Sequence, residues 1–404
     1  MSMAGRQMSL HPNNAEVANW SGSLVFRPRY MEAPRNEEEV CAIVRHAARR
    51  GLKIRPVGCR HSSSPIIVTD DVAVSMENMS GLIDHDTEEG WAIVGAGTVL
   101  DEMGRALNEV GLATHNLGDI NVQTVVGAVS TCTHGSGRRL TNLATMLIGG
   151  QMVTADGEVW EIGSDIIHAA RGCMGTLGLF TALKLRLLPR YRLRRREWCT
   201  TMDECFSHLD ELSRGSRNLD MYWYPRSDRM KLRTLDPPEE GPERIQGARL
   251  VLEREGWSND VLSRKRVLRF DEMEYAVPIE AGPECFLEIR KRIMERHRRT
   301  VGWRVLYRYV AADDAYLSTA HGRDTVTISL HQNNTLPYGQ YFDDIERIFL
   351  RYGGRPHWGK KHGLEAEDLE LLYPKWSDFR RTRRELDPDG VFLTDHMSRL
   401  LEGP

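Results

Sequence analysis

Two short tracts crowded with glycine, serine and threonine constrain this chain more than any other feature. They are "PVGCRHSSSP" at residues 56–65 and "STCTHGSG" at residues 130–137, each led by strand-like sequence. Residues of this kind let a loop turn several backbone N–H groups toward one point without burying unmet groups, which is how proteins hold phosphate. Two such loops in one half of a chain invite a ligand with two phosphates. The longer stretch "LGDINVQTVVGAVSTCTHGSGR", residues 117–138, carries too many of these residues for a helix to be expected there.

A chain of 404 residues is long for one core, so two domains, or one domain split by an insertion, are expected. The segment "EEEVCAIVRHAARRGLKIRPVG" reads as an amphipathic helix, a glycine stop and a strand that delivers the first tract. "VAVSMENM" and "WAIVGAGTV" read as strands, "VLDEMGRALNEVGL" as a helix ended by Gly111, and "ATMLIGGQMVTADGEVWEI" as a hairpin about Asp156 and Gly157. Composition changes near Pro189, where a boundary is expected, and "LDPPEEGPERIQG" reads as a surface loop of the second region. "RVLYRYVAADD", "TVTISLHQ" and "DDIERIFLRYGG" then give strand, strand and helix, the order of an α+β domain. In "VGAGTVLDEM" the third glycine of a dinucleotide fingerprint is replaced by Leu100, and the turn lies deep in the domain, which argues against a nicotinamide Rossmann fold.

The formal charge of −3 argues against nucleic acid as a partner, and the basic runs are offset by nearby acidic blocks. Seven scattered cysteines without a CxxC pair suggest neither a disulfide framework nor a metal site. The first residues lack the pattern of a secretory leader, and no apolar run approaches a membrane span. A cytoplasmic protein is expected.

Taken in order, "RPVGCRHSSSP", "NLGD", "VVGAVSTCTHGSG", "EMEYAVP", "GRPHWGK" and "RRELDPDGVFLTDHMSRLL" resemble the aldonolactone oxidoreductases, FAD enzymes of the vanillyl-alcohol-oxidase type. The resemblance runs from about Asn19 to the C-terminus. It implies an α+β, two-domain vanillyl-alcohol-oxidase type FAD-binding fold with an α+β substrate (cap) domain: residues 1–190 for the FAD, 191–375 for the cap, and 376–404 returning to the FAD domain. Carried over, Pro56, Val57, Gly58, Cys59, Arg60, His61 and Ser62 wrap the pyrophosphate. Gly127, Ser130, Thr131, His134 and Gly135 lie on the other side of the cofactor, Gly178 and Phe180 on a third flavin-contacting strand, and Gly118 and Asp119 beside the flavin. His61 matches a histidine that many relatives join to the flavin 8α-methyl carbon; the other reading is a non-covalent histidine that shapes the loop.

Some residues depart from the family pattern. Arg60 stands where glycine is usual, and either disturbs the turn or pairs with the pyrophosphate. Cys59 and Cys132 replace small residues; Cys132 is either a second attachment point or a buried thiol. Gly118, at a position where the smaller residue is associated with oxygen access, leans toward oxygen as electron acceptor rather than another acceptor.

The implied reaction oxidises a CH–OH group of a small alcohol, sugar or lactone-like substrate by hydride transfer to flavin N5. Lys360 matches a cation near flavin N1, Glu274 and Tyr275 the active-site wall, Arg308 a substrate-facing arginine, and His331 a polar side chain in the pocket. No metal is implied. Where relatives that oxidise lactones and alditols carry a glutamate two residues before the arginine, this chain has Leu306. A carboxylate grips a vicinal diol and leucine does not, so a less polar alcohol or a modified sugar is expected. A flavin oxidase acting on a C–N bond is the alternative, and a flavoprotein without turnover a third reading.

Overall fold

The computed structural model describes residues 10–263 and 267–403. The opening residues 1–9, over which no leader is expected, lie outside the described residues. Strand β1 (Tyr30–Glu32), helix α1 (Glu37–Arg49), β2 (Ile54–Pro56) and β3 (Val72–Val74) form the first unit, a parallel sheet in the order β1-β3-β2. The sequence forms α1 for local reasons. Asn36 caps it by accepting a hydrogen bond from Glu39 N at 2.9 Å, three glutamates occupy its positive first turn, and Val40, Ile43, Val44 and Ala47 bury one face. Gly51, at φ 65°, ends the helix and turns the chain into β2.

A second, antiparallel sheet takes up β4 (Leu82–Asp86), β5 (Trp91–Gly95), β6 (Leu147–Val153), β7 (Val159–Glu161) and β8 (Leu179–Arg186) in the order β7-β6-β8-β5-β4. Helix α2 (Leu100–Glu109) follows β5 and ends before Gly111 at φ 86°. The expectation of no helix in residues 117–138 is corrected: Val125–Ser130 is a short helix, α3. Thr124 caps it by accepting from Gly127 N, and Val125, Ala128 and Val129 are fully buried, so packing outweighs weak propensity. Its end is closed by Cys132 N donating to Val129 O and Thr133 N to Ala128 O, with Cys132 in the left-handed region at φ 52°. That position ordinarily favours glycine.

Eight further strands make one antiparallel sheet. They are β9 (Arg192–Thr200), β10 (Asn218–Tyr224), β11 (Arg229–Asp236), β12 (Arg249–Trp257), β13 (Phe270–Pro278), β14 (Val305–Val310), β15 (Thr325–Asn333) and β16 (Arg355–Pro356), in the order β12-β9-β11-β10-β14-β15-β13-β16. The Pro/Gly/Glu-rich loop joins β11 to β12. Helices α4 (Gly282–Arg292) and α5 (Gly339–Arg351) cover one face of the β13 region, where Tyr275 stacks on Phe349 at 4.8 Å. The other face receives the second Gly/Ser/Thr tract: Gly137 N donates to Tyr309 O at 2.9 Å, Asn218 Nδ2 to Ser136 O at 2.6 Å, and Ser136 Oγ to Leu219 O.

Three further helices, α6 (Ala366–Leu372), α7 (Trp376–Leu386) and α8 (Asp395–Glu402), close the chain. Between the last two, Val391 O accepts from Ile54 N at 2.8 Å, so the C-terminal segment lies against β2. Asp387 holds this turn by accepting from Val391 N and Phe392 N at 2.7 and 2.9 Å. All seven cysteines are free, and among the described residues no helix is long and apolar enough to cross a membrane.

Candidate active site

The loop after β2 forms one wall of a cavity of about 430 Å³. Opposite it lie Gly127 and Ser130 of α3 and Thr131 just after it, and at one end Gly178 with Leu179 and Phe180, the first residues of β8. The N–H groups of Gly58, Cys59, Arg60, His61 and Ser62 donate to no protein acceptor among the described residues. Five such donors in succession make an anion-binding concavity. Arg60 takes the left-handed conformation at φ 58° that a glycine would adopt, so the turn survives the substitution. Arg60 is exposed and stands at the cavity wall. His61 stacks on Trp20 at 4.9 Å, and burial, followed by the Lys360 charge, pushes its pKa down to about 4, leaving the ring neutral at pH 7.

A second, smaller pocket of about 60 Å³ has room for the reacting end of a small substrate. It takes Gly118, Asp119 and His134 from the first half of the chain, Glu272 and Glu274 from β13, Leu306 and Arg308 from β14, His331 from β15, and His357 and Lys360 from the segment after β16. Gln123 lines both cavities, and its buried Oε1 has no partner.

The segment "HWGK" is held from two sides. On the sheet side, His357 N donates to Glu274 O at 3.0 Å and Lys361 N to Glu272 O at 2.9 Å. On the loop side, Ser63 N donates to Gly359 O at 2.8 Å and Ser64 Oγ to Trp358 O. Trp358 is fully buried, with its indole N–H donating to Leu317 O at 2.6 Å and its ring stacked on Tyr373. Lys360 is thereby fixed between the loop of His61 and the pocket.

Two cation–carboxylate pairs run side by side along the pocket wall. Arg308 Nη2 meets Glu274 Oε2 at 2.5 Å, and Lys360 Nζ meets Glu272 Oε2 at 2.5 Å. Burial alone would raise both carboxyls, but Arg308 and His134 outweigh it for Glu274, and Lys360 and His331 for Glu272, holding both below the usual carboxylate range. Each ring nitrogen of His134 faces an acceptor, Gly135 O at 2.9 Å and Glu274 Oε1 at 2.6 Å. His134, Glu274 and His357 bring ligand atoms within 4.8 Å of one another, yet Arg308 and Ser329 already occupy the Glu274 carboxylate. The Nε–H of Arg308, also buried, has no acceptor among the described residues.

Of the residues picked from the sequence, Pro56 to Ser62, Gly127, Ser130, Thr131, Gly178 and Phe180 line the first cavity, and Lys360, Arg308, Glu274, His331, Gly118, Asp119 and His134 the second. Two do not. Tyr275 points through the sheet to the helix side, where its hydroxyl donates to Glu346 at 2.5 Å, because neighbouring residues of a strand face opposite ways. Gly135 lines neither cavity; a Cβ there would run into Leu117 O and the Asn116 side chain, so it is a close-packing glycine. Asp119 is spoken for by Arg233 at 2.7 Å and Tyr222 at 3.3 Å. Cys132 is buried against Gly172, with its thiol pKa pushed well up by burial, and is absent from the cavity wall. Glu272, His357 and Gln123 line the pocket without being expected there from the sequence. The alternation in "DEMEY" carried the signal for Glu272, since it shares a strand face with Glu274.

The family model described as D-arabinono-1,4-lactone oxidase matches residues 244–400, and that described as FAD binding domain matches residues 28–163. The L-gulono-1,4-lactone dehydrogenase of Mycobacterium tuberculosis is 33% identical over 96% of this chain and 99% of its own. The chain belongs to the aldonolactone oxidoreductases. The L-gulonolactone oxidase of Mus musculus is 27% identical over 95% of this chain and 98% of its own, and the alditol oxidase of a Streptomyces species 28% identical over 96% and 99%. In fold, this aldonolactone oxidoreductase superposes on the cholesterol oxidase of B. sterolicum with a TM-score of 0.85 over 97% of both chains at 16% identity. Its cofactor is FAD and its reaction the oxidation of a CH–OH donor.

The buried histidines of this oxidoreductase give a pH prediction. Burial, as the largest cause, pushes His357 down to about 3 and His362 and His396 down to about 4, from a value of 6.5 in an exposed chain. Between pH 6.5 and about 4 the unfolded chain takes up protons that the folded one refuses, so stability falls as pH falls through that window. The unfolding temperature is expected to decline steadily over it. A flat profile would show that these rings protonate in the folded state.

Proposed function

We propose that this chain oxidises a polyhydroxylated lactone or alditol, with the substrate in the smaller pocket and the flavin in the larger. When bound, FAD supplies the acceptor for the hydride leaving the carbinol carbon. The observation that carries this reading is that Gln123 lines both cavities while Lys360 lines the smaller one, its neighbours Gly359 and Lys361 bonded to Ser63 of the His61 loop and to Glu272 of β13. An ammonium held there stabilises negative charge as it develops. The free Nε–H of Arg308 is a donor for the substrate oxygen, and the Glu274 carboxylate holds that guanidinium in place.

The open N–H groups of Gly58 to Ser62 and the guanidinium of Arg60 suit the pyrophosphate, a fit of donor chemistry to a dianionic linker. His61 is proposed as the covalent attachment point; it is neutral, lines the cavity, and is oriented by Trp20. Electrons leave to oxygen or another acceptor, and Gly118 keeps the pocket wall small: a Cβ there would press on Thr133 Cγ2 at 3.3 Å. We place the protein in the cytoplasm and assign residues 1–190 and 376–404 to FAD binding and 191–375 to the cap. The C–N oxidation that Leu306 left open gains nothing from this pocket, whose two ion pairs suit a hydroxylated substrate.

The test is an absorbance spectrum followed by acid precipitation. Yellow colour is expected in the pellet, and in the supernatant once His61 is replaced by alanine. Colour in the supernatant of the unaltered protein would overturn the covalent bond, and flavin that stays oxidised with every lactone and alditol under anaerobic conditions would overturn the substrate class.

A further inference from the structure

The loss of a carboxylate at position 306 leads one to expect a pocket poor in grips for hydroxyl groups, and the pocket is not so built. In the sheet, Leu306 lies opposite Ser329, and Ser329 opposite Glu274, so the three form one transverse row on the pocket face. Glu272 stands two residues along β13 from Glu274, on the same face and opposite His331. It is nearly fully buried and lines the pocket beside Leu306. One oxygen is taken by Lys360, and the other faces His331 Nε2 at 3.4 Å. A carboxylate offers about four acceptor positions, so this pair leaves capacity toward the pocket.

We propose that Glu272 is the specificity residue that grips a substrate diol in this chain, doing from β13 the work that a glutamate at position 306 would do from β14. This rests on the reading of the pocket as a site for polyhydroxylated substrates. Lys360 keeps the carboxylate ionised in a place where burial would otherwise protonate it, so the grip persists at neutral pH. Leu306 then supplies an apolar wall against the carbon skeleton, and the hydroxyls turn toward β13. The structure thus accounts for a lactone or alditol substrate without the missing glutamate.

The test compares Glu272→Gln with the unaltered FAD enzyme on L-gulono-1,4-lactone, and on γ-butyrolactone, which has no hydroxyl, as a competitive ligand. Flavin bleaching of the unaltered enzyme by the lactone checks the parent reading first; its absence with every lactone and alditol would overturn that reading and this one with it. Where bleaching occurs, Glu272→Gln is expected to raise KM for the lactone by about 10- to 100-fold, the factor for one charged hydrogen-bond partner. kcat should fall far less, and the inhibition constant of γ-butyrolactone should stay unchanged. A fall in kcat with KM unaltered would show that Glu272 only orients Lys360, and an equal rise for both ligands would show a general collapse of the pocket; either would overturn the proposal. Should the glutamine variant fail to fold, Glu272→Asp decides by the same two constants, with a smaller rise expected for the lactone alone.

Discussion

Alanine in place of Lys360 is expected to lower the rate of flavin reduction by about 10²–10³-fold, the usual loss when one preorganised charge partner is taken from a dry site. The expectation rests on how firmly the ammonium is placed. Lys360 N donates to His357 O at 2.9 Å, Gly359 O accepts from Ser63 N, and Nζ is held on Glu272. No rotamer search is needed as charge develops. The substrate dissociation constant should change by less than about tenfold, because a group that acts mainly in the transition state affects rate more than ground-state binding. Rapid mixing of oxidised enzyme with graded substrate under anaerobic conditions separates the two constants. An unchanged reduction rate would remove Lys360 from the chemistry.

Arg308→Ala is expected to cost about 3–5 kcal/mol of folding stability as well as activity, the range for removing one partner of a buried ion pair. Glu274 is 1% exposed, and its remaining partners, Ser329 and His134, cannot replace a guanidinium. The stranded carboxylate is the source of the cost. A double variant, Arg308→Ala with Glu274→Ala, should therefore recover part of the stability that the single variant loses, though none of the activity. Denaturant unfolding of the three proteins measures this. A single variant as stable as the unaltered protein would show that the pair is solvated, contrary to its burial.

The lesson of the site is clearest on β13. The resemblance puts both Glu274 and Tyr275 of "DEMEY" on the active-site wall, yet adjacent strand residues cannot share a wall. Period two alone exchanges Tyr275 for Glu272, and the structure does the same, with Tyr275 on Glu346 and Glu272 on Lys360. Gly135 misled for another reason. Glycine serves both loops that approach a ligand and loops that approach protein, and only the neighbouring Leu117 and Asn116 distinguish the two. In α3 the composition spoke against a helix, while a threonine cap and three fully buried side chains made one.

What the sequence by itself determined is local: a turn-rich loop after β2, helix α1 with its glycine stop, strands β14 and β15, and the ordered motifs that mark an FAD oxidoreductase. These follow from turn chemistry and periodicity, which act over a few residues. Which carboxylate serves which cation was decided only by tertiary structure. Lys360 reaches Glu272 across 88 positions, and Arg308 reaches Glu274 across 34. Such pairs form because a charge taken from water must find its opposite within a few ångströms, and strand register and loop docking, which no local pattern encodes, set what lies within that distance.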